Sequence, residues 1–245
     1  MKKALPLSIV GCDTPKSILT RLSELGFEVC VLERDTRLPQ FTASHADMIL
    51  LRIKNTFFCS NEYFNAYPNV FSRIKEYGYD IITMDSEISD IYPNDIPLNL
   101  AFVGKYLFGK LDCTSDIIKI FSEKNKIIPI PIKQGYAKCS TVILGSSAII
   151  TADPSIADAA LKNGIDVLKI QNSPSAVSLK GYDYGFIGGA CGVYQKKVYF
   201  TGDIRKHPNC ADILKFCQKH GFESISLDDG MLVDVGGIIF AEPLS

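Results

Sequence analysis

One short segment, KQGYAKCS at residues 133–140, carries the residue types that thiol chemistry requires. Cys139 follows Lys138 directly, and Lys133 lies six residues earlier in the chain. A nearby ammonium group favours the thiolate, which is the nucleophilic form of cysteine. Neighbouring residues of a strand point to opposite faces, so we expect Lys133, or a residue from elsewhere in the fold, to be the effective cation. The alternative is that Cys139 is a small buried residue that begins a strand.

A second cysteine, Cys191, lies in the glycine-rich segment GFIGGACG at residues 185–192. Clustered glycines allow a ligand to approach the backbone closely, and successive amides there can bind an oxyanion. The glycine spacing does not match a nucleotide-binding loop, and the following VYQKKVYF has the pattern of a strand. Cys191 is therefore a rival nucleophile, unless the glycines serve only close strand packing.

A candidate acid–base pair is His45 with Asp47, in the order His-x-Asp. We predict that the two residues begin a strand, which would place them on one face and let the carboxylate fix the imidazole tautomer. The alternative is a histidine whose hydrogen bonds are satisfied in a loop. His207 and His220 flank a predicted helix and are expected to be structural.

Three further polar residues lie where predicted strands begin or end: Asn99, Asp183 and Asp234. A carboxylate in such a position can bind a cationic group, although aspartate also commonly forms turns. Together with Lys133 and Lys138, these residues are the candidate substrate-binding set.

The elements that would position these residues form a repeat. The segment DPSIADAALKNGIDVLKI at residues 153–170 has a helix-capping Asp153, a proline at the first helical position, a terminating Gly164 and then a strand. Five segments share this helix–stop–strand design, with stops at residues 26, 78, 125, 164 and 221. Two short strands lie between successive units, often around a tight turn, so each complete unit reads strand, strand, helix, strand.

The two ends of the chain account for the strands that the repeat lacks. The N-terminal unit lacks its strand pair, while MLVDVGGIIFAE at residues 231–242 is strand-like and has no helix after it. We therefore predict an α/β fold in which residues 1–245 form a single domain, a five-bladed pseudo-fivefold ββαβ propeller. The C-terminal strand would pair with the N-terminal unit and leave few unpaired sheet edges. The alternative is an ordinary α/β sheet with loops of unequal length.

This architecture resembles the pentein fold. That fold is shared by guanidine-group-modifying enzymes, such as arginine deiminase, dimethylarginine dimethylaminohydrolase and glycine amidinotransferase, and by a ribosomal anti-association factor that is not an enzyme. The segments KQGYAKCS, GFIGGACG, VYFTGD and DVGGII are similar to those of an uncharacterised bacterial family assigned to this fold.

The resemblance implies a cysteine nucleophile, a histidine and guanidinium-binding carboxylates that converge near the pseudo-fivefold axis. The segment from Asp234 to Ile238 matches the approach to the Gly-Gly-x-His-Cys pattern of the enzymes. However, Ile239 and Phe240 occupy the positions of the His-Cys pair, and His45 falls in an earlier unit than in the enzymes.

The composition narrows the possible partners. The net charge is −1, with 26 basic and 27 acidic side chains, so no general affinity for nucleic acid or an anionic membrane is expected. No apolar stretch reaches the length of a membrane span.

The eight cysteines are scattered, without C-x-x-C or zinc-like spacing. We expect reduced thiols, a cytoplasmic location, no metal and no organic cofactor.

Two functions remain open at this point. The first is a thiol-dependent hydrolase or transferase acting on a C–N bond of a small guanidine- or amide-like compound near the axis. Cys139, or else Cys191, would attack, and His45 oriented by Asp47 would transfer protons. The second is a non-catalytic binding protein for a small molecule, a ribosome or another protein.

Overall fold

A computed structural model describes residues 4–85 and 87–244. The strands β1–β17 are, in chain order, Leu7–Gly11, Glu28–Leu32, Leu51–Ile53, Thr56–Ser60, Asp80–Met84, Ala101–Val103, Tyr106–Gly109, Ile128–Pro131, Thr141–Leu144, Ala148–Thr151, Asp166–Lys169, Val177–Ser178, Cys191–Tyr194, Lys197–Phe200, Glu223–Ser226, Leu232–Val233 and Ile239–Ala241. The helices α1–α7 are Lys16–Glu24, Ala46–Ile49, Asn61–Ala66, Pro68–Glu76, Asp116–Lys124, Pro154–Lys162 and Cys210–Lys219. Two short 3₁₀ helices cover Leu111–Cys113 and Ile204–Lys206.

The unit β9–β10–α6–β11 shows how the sequence pattern becomes structure. β9 and β10 pair antiparallel across a turn in which Gly145 has a φ of +72°, a conformation that favours glycine. Asp153 caps α6 by accepting a hydrogen bond from the backbone of Ile156 at 2.9 Å. Gly164, with a φ of +75°, ends the helix, and β11 then pairs parallel with β10.

Five three-stranded sheets have this arrangement of one antiparallel and one parallel pair: β17–β1–β2, β3–β4–β5, β6–β7–β8, β9–β10–β11 and β13–β14–β15. The predicted pairing of the C-terminal strand with the N-terminal unit is confirmed, with Leu7 opposite Ala241 and Ile9 opposite Ile239. A further parallel pair joins β12 and β16.

The first strand of each sheet contributes to one central cavity of about 320 Å³. The strands concerned are β17, β3, β6, β9 and β13, and each supplies residues to the cavity wall. The helices cover the outer strands with buried apolar residues, such as Ile18 and Leu22 of α1 and Ile156 of α6. The chain segments that precede the inner strands are therefore brought close to one another.

Three local features differ from the sequence-based expectation. His45 does not begin a strand: it precedes α2, a single helical turn, and β3 begins only at Leu51. The helix α3 was not anticipated; Ser60 caps it by accepting a hydrogen bond from Tyr63 at 3.2 Å. α1 begins after Pro15 rather than after a Thr14 cap. Within the described residues, no helix has the length and apolar composition needed to cross a membrane.

Candidate active site

Four chain segments meet at the end of the central cavity and are joined through their backbones. The amide of Gly189 donates a hydrogen bond to the carbonyl of Cys139 at 2.9 Å, and the amide of Gly237 donates to the carbonyl of Gly189 at 2.7 Å. The amide of Asp47 donates to the carbonyl of Gly236 at 3.0 Å. The loops that carry the candidate residues are therefore held in one fixed arrangement.

Asn99 joins two of these loops from a fully buried position. Its side-chain oxygen accepts hydrogen bonds from the amides of Lys138 and Cys139, at 2.8 and 3.2 Å. Its side-chain nitrogen donates to the carbonyl of Asp47 at 3.1 Å and lies 3.0 Å from the Cys139 sulfur. Asn99 was predicted to bind substrate; its contacts are those of a residue that positions Cys139.

The centre of the site is a contact between Cys139 and Asp47. The Cys139 thiol donates to Asp47 Oδ2 at 3.1 Å, and both side chains are buried. Burial raises the pKa of Cys139 well above its usual value, and the carboxylates of Asp47 and Asp234 raise it further. Burial also raises the pKa of Asp47 to about 6, against the opposing effect of the positive charge of Lys138. The thiol is consequently protonated in the unliganded protein at neutral pH.

His45 lies beside this pair and faces a second carboxylate. Its Nδ1 is 3.7 Å from Asp234 Oδ1, so the approaching carboxylate is Asp234 rather than the Asp47 expected from the sequence. Asp234 is held in place by accepting hydrogen bonds from the amides of Phe186 and Gly236, at 2.8 and 3.0 Å. Within the described structure, His45 Nδ1 and Asp47 Oδ1 are buried and make no hydrogen bond. Two polar atoms at the centre of the site therefore remain available to a ligand.

The two lysines of the KQGYAKCS segment have different surroundings. Residues 137–140 form a turn and β9 begins at Thr141, so strand alternation does not govern Lys138. Lys138 Nζ donates to the carbonyl of Gly188 at 3.1 Å, and its charge favours the ionised form of Asp47. Lys133 is exposed and lines a surface groove beside α6, outside the cluster.

The rival cysteine belongs to a different cavity. Cys191 lines the central cavity together with Asp47 and Lys138, and its sulfur is 4.0 Å from the carbonyl of Gly188. Burial raises the pKa of Cys191 to about 12, although Lys138 acts in the opposite direction. No histidine is among the described residues that line this cavity. Cys191 therefore lacks the proton-transfer group that accompanies Cys139.

Cys139 opens onto a second cavity of about 260 Å³, which also contains His45 and Asp234. Its wall includes four aromatic residues that the sequence analysis did not single out: Tyr136, Tyr182, Tyr184 and Phe186. Asp183, a predicted substrate-binding residue, is exposed and lines the same cavity. The run YDYGF at residues 182–186 is a visible sequence signal for this wall, because it places three aromatic residues around one acidic residue.

The cluster could accept a cation of more than one kind. One ligand atom each from His45, Asp47 and Cys139 lies within 4.8 Å of the other two, and Zn²⁺ binds all three of these residue types. An organic cation would relieve the same accumulation of negative charge and would use hydrogen bonds in place of coordination bonds. The cysteine spacing gave no indication that these residues could hold a metal, because Cys139 is distant in sequence from His45 and Asp47.

Comparisons with known proteins identify the family and the fold. A family of unknown function (DUF6873) has a model that matches residues 9–239, and the chain belongs to this family. No curated protein sequence matches the chain significantly.

Several solved structures share the fold. They include an inosamine-phosphate amidinotransferase from Streptomyces griseus, with a TM-score of 0.57 and 13% identity over 96% of this chain and 91% of that chain. Agmatine deiminase from C. jejuni has a TM-score of 0.57 and 10% identity over 99% and 94%. DDAH from Pseudomonas aeruginosa has a TM-score of 0.54 and 10% identity over 91% and 92%. At these identities the likeness shows the fold alone, and it confirms the predicted resemblance to the fold that these enzymes share.

We expect Gly236→Ala to destabilise the protein through the site itself. Gly236 has a φ of +77°, and an added Cβ would lie 2.2 Å from His45 Cβ. Gly164 is a matched control, since its φ is +75° and its added Cβ would meet nothing within 4 Å. Urea unfolding should show a loss of roughly 1–2 kcal/mol for Gly164→Ala. Gly236→Ala should lose roughly 1–3 kcal/mol more. Equal losses would show that the loop does not pack on His45 as described.

We also expect Asp47 to reduce stability in a pH-dependent way. Its pKa rises from 3.8 to about 6 on folding, so the folded state binds the proton more tightly. Stability is therefore lost as the pH rises from about 4 through 6. Asp47→Asn should be more stable than the wild type by roughly 1–3 kcal/mol at pH 7, and about equal to it at pH 4.

Urea unfolding at a series of pH values measures this difference. Asp183→Asn serves as the control, because Asp183 is exposed and its variant should follow the wild-type curve. A constant difference between Asp47→Asn and the wild type at all pH values would contradict the prediction.

Proposed function

We propose that this chain is a thiol-dependent enzyme that hydrolyses, or transfers a group from, a C–N bond of a small guanidinium compound. The observation that carries the proposal is the 3.1 Å contact between the Cys139 thiol and the buried Asp47 carboxylate, beside His45 and Asp234. A thiolate and two carboxylates are compatible in one buried site only when a cation lies among them. A guanidinium group supplies that cation, and its central carbon is the electrophile.

The bound cation would also activate the nucleophile. The anionic neighbours Asp47 and Asp234 raise the pKa of Cys139, so a cation held by them lowers it again. His45 accepts the thiol proton; one of its ring nitrogens lies within 4.8 Å of the sulfur, and this distance shortens to about 3 Å when substrate binds. The two carboxylates then hold the substrate, and thiolate forms only when substrate is present.

The subsequent steps follow from the positions of these groups. The Cys139 sulfur forms a bond to the guanidinium carbon, and the resulting tetrahedral adduct loses one C–N bond. The departing amine takes a proton from His45. His45 then removes a proton from water, which attacks the amidino carbon, and the C–S bond breaks to release the ureido product. An amine in the place of water would give transfer instead of hydrolysis.

We further infer that residues 1–245 form one closed five-bladed ring. The pairing of β17 with β1, the cavity lined by all five inner strands, and the likeness to pentein enzymes support this arrangement. All eight cysteines are unpaired, which supports a reducing compartment such as the cytoplasm.

A second candidate function is binding of the same cation without catalysis. The observation that favours it is the occupation of the enzymes' His-Cys positions by Ile239 and Phe240, both of which belong to β17. In that case Cys139 would only support the site, and its ionisation would not matter.

The test is turnover of a panel of guanidinium compounds, with the ureido product and the released amine quantified by mass spectrometry. Cys139→Ser should reduce the rate at least about a thousandfold. His45→Gln should reduce it roughly 10²- to 10⁴-fold. Cys113→Ser, a replacement outside the site, should have the wild-type rate. A chelator should leave the rate unchanged, because the proposed cation is organic.

Three results would contradict the proposal. Activity that survives in Cys139→Ser but disappears in Cys191→Ser would identify Cys191 as the nucleophile. Loss of activity with chelator would indicate a metal ion at His45, Asp47 and Cys139. Binding of the compounds with equal affinity by the wild type and Cys139→Ser, with no turnover of any of them by the wild type, would favour the binding function.

A further inference from the structure

The cavity in front of Cys139 has an aromatic wall that the proposed chemistry does not require. The rings of Tyr136 and Phe186 are stacked, with centroids 6.1 Å apart and an angle of 29°, and Tyr184 meets Phe186 edge-on at 6.0 Å. Tyr182 and Tyr184 are 49% and 39% exposed. Their exposed faces are available to a ligand that enters the site.

The charges in this cavity have one sign. Asp183 and Asp234 contribute carboxylates to its wall, and Asp47 lies directly behind Cys139. No lysine or arginine is among the described residues that line it. Aromatic faces and carboxylates both attract cations, and the combination repels anions.

Lys138 lines the central cavity on the other side of the cluster and donates to the carbonyl of Gly188. The cationic side chains of the other adjacent cavity, Arg34 and Lys180, have partners of their own. Arg34 forms an ion pair with Asp13 at 2.5 Å and also donates to the carbonyl of Gln40. The ammonium group of Lys180 lies over the ring of Phe41, 5.8 Å from its centroid. A carboxylate in the aromatic cavity would therefore meet no cationic partner there.

We propose that the substrate is a guanidino compound whose tail carries no carboxylate and ends in an amine. This inference rests on the proposed function, since it assigns the tail of the same substrate. The guanidinium group lies among Asp47, Asp234 and Cys139, and the tail passes along Tyr182 and Tyr184. The terminal ammonium group is attracted by Asp183 at the cavity mouth. Amino acids with a free carboxylate are selected against.

The test compares three compounds that share a four-carbon chain and differ only at the tail. They are agmatine, which ends in an amine, butylguanidine, which ends in a methyl group, and 4-guanidinobutanoate, which ends in a carboxylate. Titration calorimetry on the full-length Cys139→Ser variant measures affinity without turnover. We expect agmatine to bind at least about tenfold more tightly than 4-guanidinobutanoate, with butylguanidine between them.

Variants assign this discrimination to particular residues. In the same Cys139→Ser background, Asp183→Asn should reduce the preference for agmatine over butylguanidine about threefold, whereas Asp212→Asn, an exposed replacement on α7, should leave it unchanged. Tyr184→Leu should weaken agmatine binding about fivefold, while Tyr184→Phe should retain it. An unchanged affinity in Tyr184→Leu would overturn the proposal.

The outcomes separate this inference from the proposed function. Binding in the expected order, without turnover of any compound by the wild type, would refute the enzyme and leave the ligand class intact. Turnover that favours 4-guanidinobutanoate or arginine would support the enzyme and overturn the inference. Tight binding of the carboxylate compounds that is lost in Lys180→Ala would overturn it as well, by showing that the tail enters the adjacent cavity.

Discussion

The contact between the Cys139 thiol and the Asp47 carboxylate is the constraint on which the rest of the site depends. Two groups that both become negative when ionised are buried 3.1 Å apart, and Asp234 adds a third acidic group nearby. Lys138 offsets part of this charge, but burial still makes the arrangement unfavourable, so the fold must enforce it. Asn99 does so from one side, and the backbone hydrogen bonds through Gly189 and Gly236 do so from the other. Burying these acidic groups together lowers the free energy of unfolding. A bound cation would recover that loss, which is the physical basis of the proposed affinity for cationic ligands.

Much of the fold could be predicted from the sequence because the pattern is repeated. Proline and glycine mark the start and end of the α6 helix so clearly that its unit, and the others like it, can be recognised without any relative. The pairing of the C-terminal strand with the N-terminal unit could be predicted because that unit lacked strands before its helix and the C-terminal strand had no helix after it. The short helix α2 was missed because a single turn has no periodicity, and its position changed the predicted geometry of His45.

The sequence predicted which residues lie in the site better than it predicted which of them contact one another. Cys139, His45, Asp47, Asn99 and Asp234 do converge, because each lies near the start of an inner strand. Their pairing could not be predicted, since it depends on loops that are distant in sequence and on whether a residue lies in a strand or a turn. Two of the expected contacts therefore differ in the structure. Lys133 lies in a surface groove outside the cluster, and Asp234 rather than Asp47 approaches His45 Nδ1.

The most direct test of the account is the pKa of Cys139 with and without a planar cation. The Cβ chemical shift of ¹³C-labelled cysteine, assigned with Cys139→Ser, reports its ionisation as the pH is varied. We expect acetamidine to lower the pKa of Cys139 by about one pH unit or more in the wild type, and Asp47→Asn to lower it without any ligand. A Cys139 pKa that responds neither to acetamidine nor to Asp47→Asn would show that the thiol and the carboxylate are not coupled, and would contradict the account.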